Sequence, residues 1–337
     1  MDDKSVASSQ TGEWPNLLEP LRGIWRTLIG PHGVVVLVLL VVIGTLLSLR
    51  TDTFFTANNL ASISRAFSWI AIAAFGESMV IIIGGADLSV GAVMALAGLI
   101  SARCLEAGLP VPLAIVAGLL TGGLVGWVNG TVVGRVRLPP FIVTLGTMSI
   151  ARGVTFGLSG GWPVRGLPEG FRALGQEDIS LGSLYLPLPV LFMLGLAVLV
   201  GLLMGKTVLG NYIYSLAGSE RALLVSGVNV VQIKVLVYTL CGVLTAIGGL
   251  LMTARLGVAA PTAAVGYELD IIAAAVIGGT SLFGGEGSIL GVLLGAAVMQ
   301  MLRNGLVLLG LSAYWQTAAL GTMILAFILF DHRRRQS

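Results

Sequence analysis

The chain has 337 residues, of which 56% are hydrophobic and only 10% charged. Soluble domains are about one quarter charged, so this composition cannot cover a water-facing surface and describes an integral membrane protein. A formal net charge of +3, with no long basic run, argues against a nucleic-acid partner.

The N-terminus lacks the charged-then-apolar pattern and small-residue cleavage site of a secretory signal. Residues 1–32 read instead as a cytoplasmic leader, with an amphipathic piece from Leu17 to Ile29 lying along the interface. A helix needs roughly 20 apolar residues to cross the hydrocarbon. Ten stretches qualify: 33–50, 66–84, 88–103, 111–134, 140–158, 187–205, 231–254, 264–283, 288–309 and 312–330. The expected fold class is therefore all-α, a polytopic bundle of about ten transmembrane helices over 33–330, with a basic tail at 331–337.

Glu77 lies inside the second stretch. A mid-membrane charge costs roughly 2.5–3.5 kcal/mol on insertion scales, so it faces an interior or a cavity, against a backbone amide or an arginine. Gly84-Gly85 then loosens the chain just before Asp87, so 84–88 reads as a break within the membrane, with Asp87 or Ser89 capping the next helix. The same residues fit a gating element on a translocation path.

In the fourth stretch Gly118, Gly122, Gly126, Gly130 and Gly134 recur every four residues. They form one smooth stripe against which another backbone can pack. Asn129 and Thr131, then Thr144, Thr147 and Ser149 in the fifth stretch, supply small polar groups that bond across helices or line a hydrophilic path. Arg152 and Arg303 also fall inside stretches. Glu268 and Asp270 enter the eighth and read as outer-interface residues. Gly287, Gly291 and Gly295 repeat the glycine pattern in the ninth. Ile277-Gly278-Gly279-x-x-Leu282 echoes Ile83-Gly84-Gly85-x-x-Leu88, a faint trace of duplication.

Cytoplasmic termini place 11 Lys and Arg residues inside and 6 outside, the bias of an inner-membrane protein with both ends in the cytoplasm. This puts the loop at 159–186 in the periplasm and 206–230 in the cytoplasm. The polar stretch from Gly210 to Asn229 reads as a short amphipathic helix ending in a Ser226-Gly227 turn, a handle for a separate subunit. Cys104 and Cys241 lie in different stretches, and His32 and His332 lie at stretch edges. Neither a disulfide framework nor a metal site is expected.

Three motifs carry a family likeness: Gly84-Gly-Ala-Asp-Leu-Ser-Val-Gly91, Leu138-Pro-Pro-Phe-Ile-Val-Thr-Leu-Gly-Thr-Met148, and Gly278-Gly-Thr-Ser-Leu-Phe-Gly-Gly285. With the 218–227 loop, they resemble the permease subunits of ABC-type monosaccharide importers of the ribose, xylose and galactose group. The resemblance covers residues 35–330. It implies a two-subunit pore, homo- or heterodimeric, fed by a periplasmic sugar-binding protein and driven by a cytoplasmic ATPase. It implies that Ser219, Glu220, Arg221, Ala222, Ser226 and Gly227 contact that ATPase. Glu77, Asp87, Ser89, Asn129, Thr144 and Thr147 are the candidate lining of the translocation path. Ser219 stands where the family commonly has Asn, and Ala86 where it has Ile, which leaves open which ATPase and which second permease are used. No G-x-x-x-x-G-K-[ST] run is present, so ATP belongs to the partner and no cofactor to this chain. The alternatives are a permease for branched-chain amino acids or nucleosides and, more distantly, an ion-coupled carrier using Glu77, Asp87 and Glu268. An intramembrane enzyme has no H-E-x-x-H to support it.

Overall fold

The structure, a computed structural model, describes residues 31–181, 184–312, 314–322 and 325–326. The amphipathic leader piece, the basic tail and residues 313, 323–324 and 327–330 of the tenth predicted stretch lie outside these residues.

Twelve named helices follow in order: α1 Pro31–Arg50, α2 Ala57–Ile82, α3 Val90–Glu106, α4 Val111–Thr131, α5 Pro140–Ser159, α6 Glu169–Gln176, α7 Leu188–Lys206, α8 Val208–Gly218, α9 Glu220–Val225, α10 Val230–Leu256, α11 Tyr267–Ile277 and α12 Ile289–Leu308. A π-helical turn, Val132–Val136, extends α4, and residues 314–322 are helical. The all-α expectation needs one correction. Strands β1 (Asp178–Leu181) and β2 (Leu184–Pro187) pair antiparallel in the loop before α7, with Ile179 opposite Leu186.

Seven described helices are long and apolar enough to cross a membrane: α1, α2, α4 with its π turn, α5, α7, α10 and α12. The count of ten is not reproduced among the described residues. The third stretch yields α3, 17 residues long, and the eighth yields only the 11 residues of α11. The eighth is broken because Gly278-Gly279 ends the helix, and because 257–266 bends through left-handed Gly257, Ala264 and Gly266. The second helix starts at Ala57, nine residues before its predicted start at 66. Thr56 caps it by accepting a bond from the Asn59 amide, so its polar first turns are helix and not loop.

α2 and α10 form the centre of the bundle, and large apolar side chains on α1, α4, α5 and α7 face outward. An apolar exterior over a packed interior suits lipid as the solvent. The glycine stripe serves close packing. A Cβ on Gly130 would sit 2.6 Å from Val235 Cα, and one on Gly122 would collide with the Gly242 carbonyl. α4 therefore lies directly against the α10 backbone. Gly291 and Gly295 bring α12 equally close to α11, near Gly278 and Ala274.

The echoed glycine pairs build the same local structure in shifted register. After α2, the Gly84 amide bonds the Ile81 carbonyl and the Gly85 amide bonds Val80, at 2.9 Å each. After α11 the equivalent bonds run from Gly279 to Val276 at 2.9 Å and from Thr280 to Ala275 at 3.0 Å. Both are two-bond helix terminations closed by a left-handed glycine, but Gly84 corresponds to Gly279 and not to Gly278.

Candidate functional site

The polar residues predicted for a path come together as one buried knot. Glu77 sits on the enclosed face of α2, where neighbouring Gly76 lies against Cys241 of α10. Its Oε1 accepts a bond from the Asp87 amide at 3.0 Å and its Oε2 a weak one from the Cys241 thiol at 4.0 Å, so its partners are a backbone amide and a thiol and not an arginine. Asp87 Oδ1 accepts from the Ser89 amide at 2.8 Å and from the Ser89 hydroxyl. Asn129 Nδ2 on α4 donates to Ser89 Oγ at 3.2 Å and reaches Asp87 Oδ2 at 3.4 Å. Thr147 of α5 donates to Asn129 Oδ1 at 2.6 Å, and Thr144 reaches the Ala86 carbonyl at 3.2 Å. Of these residues only Thr147 is more than marginally exposed.

The physical reason for the knot lies in the glycine break. The termination after α2 turns the chain back into the bundle, so Asp87 and Ser89 are buried with their backbone amides unpaired by a helix. Side-chain acceptors must satisfy those amides, because a buried unpaired donor is costly. Ser89 occupies the N-cap position of α3 but makes no side-chain cap bond; Asp87 does the bonding. Asn129 supplies donors to one side and an acceptor to the other, and so joins α4 to both the break and α5.

The other predicted membrane charges are spread over α5, α11 and α12. Asp270 is buried and ion-paired with Arg303 of α12, so it does not lie at an open outer interface as the sequence suggested. Arg303 also stacks over the Tyr267 ring at 4.7 Å. Glu268 is half-buried beside Gly91, where a Cβ would fall 2.5 Å from its Oε2. Arg152 of α5 donates to the Pro261 and Ala263 carbonyls at 2.9 and 2.8 Å, fastening the loop before α11 to α5. At one end of the bundle Arg65 pairs with Asp178 of β1.

The opposite end carries the predicted handle, split into two helices. Thr207 caps α8 through the Gly210 amide at 3.1 Å, and α8 buries Gly210, Ile213 and Leu216. Tyr214 donates to the Gly287 carbonyl at 2.9 Å, and burial raises its phenol above the ordinary value, so it remains a donor at neutral pH. Ser219, in extended backbone, ends α8 and caps α9 by accepting from the Ala222 amide at 3.1 Å. Ser226 donates back to the Ala222 carbonyl at 2.9 Å, and left-handed Gly227 closes the turn. Glu220 pairs with Lys234 of α10 at 2.9 Å, while Arg221 is exposed.

No residue of α9 is buried, and Val225 is 83% exposed. Beside α9 a cavity of about 610 Å³ opens between Glu220, Arg221, Arg137, Gly84, Lys234 and Tyr238. This end of the bundle thus presents a short helix, fixed at both ends but uncovered, over a charged recess. Sequence reasoning missed Lys234 and Tyr238 here. Lys234 carried a signal as a cation 14 residues after Glu220, whereas Tyr238 carried none.

Among the described residues no group of His, Cys, Asp and Glu is arranged to hold a metal ion. Gly157-Leu-Ser159-Gly-Gly161 has the spacing of a hydrolase nucleophile elbow. It ends helix α5 and does not join a strand to a helix, and Ser159 donates to the Phe156 carbonyl.

The family described as branched-chain amino acid transport system / permease component matches residues 59–328. The chain belongs to this permease family. The ribose import permease protein RbsC of Haemophilus influenzae is 40% identical over 312 residues, 92% of this chain and 95% of that one. Its namesake in Escherichia coli strain K12 is 42% identical over 301 residues, 89% and 93% of the two chains. The L-arabinose ABC transporter permease protein AraH of Azospirillum brasilense is 35% identical over 313 residues, 93% of this chain and 90% of that one. No solved structure matches. Both the buried knot and the uncovered helix α9 of this permease lie within the matched region.

Proposed function

We propose that this permease is the transmembrane subunit of an ATP-binding cassette importer that carries a monosaccharide, a pentose or hexose, into the cytoplasm by alternating access. The observation that supports it most is the likeness to monosaccharide permeases over nearly the whole of both chains. The protein sits in the bacterial inner membrane with both termini in the cytoplasm. It catalyses no reaction itself. A cytoplasmic ATPase docks on Ser219 to Gly227, a periplasmic sugar-binding protein delivers the cargo, and a second permease copy or a relative completes the pore.

The geometry supplies a route for the force. A load on α9 passes through the Glu220–Lys234 pair to α10. α10 lies against the α4 stripe and against Gly76 beside Glu77. The knot of Glu77, Asp87, Ser89 and Asn129 joins these helices to α5 through Thr144 and Thr147. These six residues serve as the joint beside the path.

Proteoliposomes holding the permease, its ATPase and the binding protein provide the test. ATP-dependent uptake of a labelled monosaccharide supports the proposal, and uptake without ATP but with a proton gradient contradicts it. The family description favours one second reading, branched-chain amino acid import. Uptake of leucine and not of any sugar in the same vesicles would establish that reading.

A further inference from the structure

A small pocket of about 230 Å³ lies in the outer half of the bundle between α11, α12 and the helix over 314–322. It is smaller than the roughly 300–1,000 Å³ of drug-sized ligand sites. That size excludes nucleotides and peptides and admits one small ring. Its polar lining is Asp270, Arg303, Gln316 and Thr317, and its apolar lining includes Val265, Leu269 and Leu320.

The wall is unusual for lipid depth. Asp270 is 3% exposed, and its charge is balanced by Arg303, so the wall has no net charge. The Arg303 guanidinium lies over the Tyr267 ring and spends donors on Asp270 alone among the described residues, although it has five. Asp270 Oδ1 and Gln316 Oε1 show no donor among the described residues, while Gln316 Nε2 is anchored to the Leu311 carbonyl at 2.8 Å. The pocket therefore offers donors and acceptors side by side on one wall and an apolar surface on another. Vicinal hydroxyls on a ring with an apolar C–H face match that arrangement, and an anion, a cation or a hydrocarbon does not.

The geometry points to this pocket as a monosaccharide subsite in the outer half of the permease, apart from the buried knot. This inference rests on the importer reading above. The test is ligand-observed saturation-transfer NMR on the permease–ATPase complex in nanodiscs, without binding protein, with D-ribose and L-arabinose as probes in turn. The imported sugar gives a signal that excess unlabelled sugar displaces. Gln316→Leu and the occluding Val265→Trp weaken its binding roughly tenfold, the scale of one lost buried hydrogen bond, at unchanged melting temperature. No signal from an imported sugar, or one unchanged in both variants, overturns the subsite and leaves the importer reading standing. A signal that varies with added phosphatidylglycerol and not with sugar assigns the pocket to a lipid headgroup and overturns it too. Wild-type vesicles that import no monosaccharide overturn the reading beneath it.

Discussion

Asn129 holds the centre of the knot because its amide can donate and accept at once. It serves Ser89 and Asp87 on one side and Thr147 on the other. Replacing it with alanine leaves a buried hydroxyl and part of a buried carboxylate unmatched, at about 1–3 kcal/mol for each unpaired group. Asn129→Ala is therefore expected to lower the thermal midpoint in detergent by several degrees, measured by fluorescence-detected size exclusion. Thr144→Val, which removes one of several weak bonds, should shift it far less. Glu220 behaves differently. Its ion pair with Lys234 has a half-exposed carboxylate, and such pairs contribute only about 0–1 kcal/mol. Glu220→Ala should thus leave the midpoint unchanged and reduce ATP-driven uptake, which separates force transfer from folding in one assay.

At the scale of elements, the period-four glycines of α4 were legible because a helix of that spacing has only one smooth face, and the structure puts that face on α10. The same logic sets their tolerance. Gly126→Leu drives a side chain into the Tyr238 carbonyl and should abolish folded protein. Gly146→Ala on α5, where a Cβ meets nothing within 4 Å, should express normally. Comparable yields for the two would mean that α4 and α10 do not lie in contact. The break at 84–88 was also legible, from two glycines ahead of a buried acid. The start of α2 was not, because Asn58 and Asn59 resemble loop while Thr56 caps them into helix. The broken eighth stretch was hidden by its composition. Hydropathy averages over 264–283 and does not register that Gly266 and the Gly278-Gly279 pair leave only 11 helical residues between them. The Asp270–Arg303 pair was half visible, as two opposite charges in lipid. Their mutual contact depends on α11 and α12 packing through Gly291 and Gly295, which no local pattern announces.

For the whole molecule, the described loops sort into two ends. The 106–111, 159–187 and 256–266 segments meet at one, joined by the Val164–Ala259 bridge and the contact of Gly175 with Arg255. The 83–89, 206–230 and 278–288 segments meet at the other, joined by Tyr214 to Gly287 and by Gly284 against Ala217. With Cys104 replaced by serine, Val225→Cys should react with an impermeant maleimide only from the cytoplasmic side, and Trp162→Cys only from the periplasmic side. Labelling of both from one side would refute the two-ended arrangement. The deeper claim is that this bundle moves sugar only when another subunit pulls on α9. It is tested most directly by accumulation of labelled D-ribose or L-arabinose in proteoliposomes, comparing the complete importer, the importer with Gly227→Trp in the permease, and the permease alone. ATP-dependent accumulation is expected from the first, loss of it in the second with the protein still folded, and none from the third. Concentration of the sugar by the permease alone, or unimpaired uptake with Gly227→Trp, would contradict it.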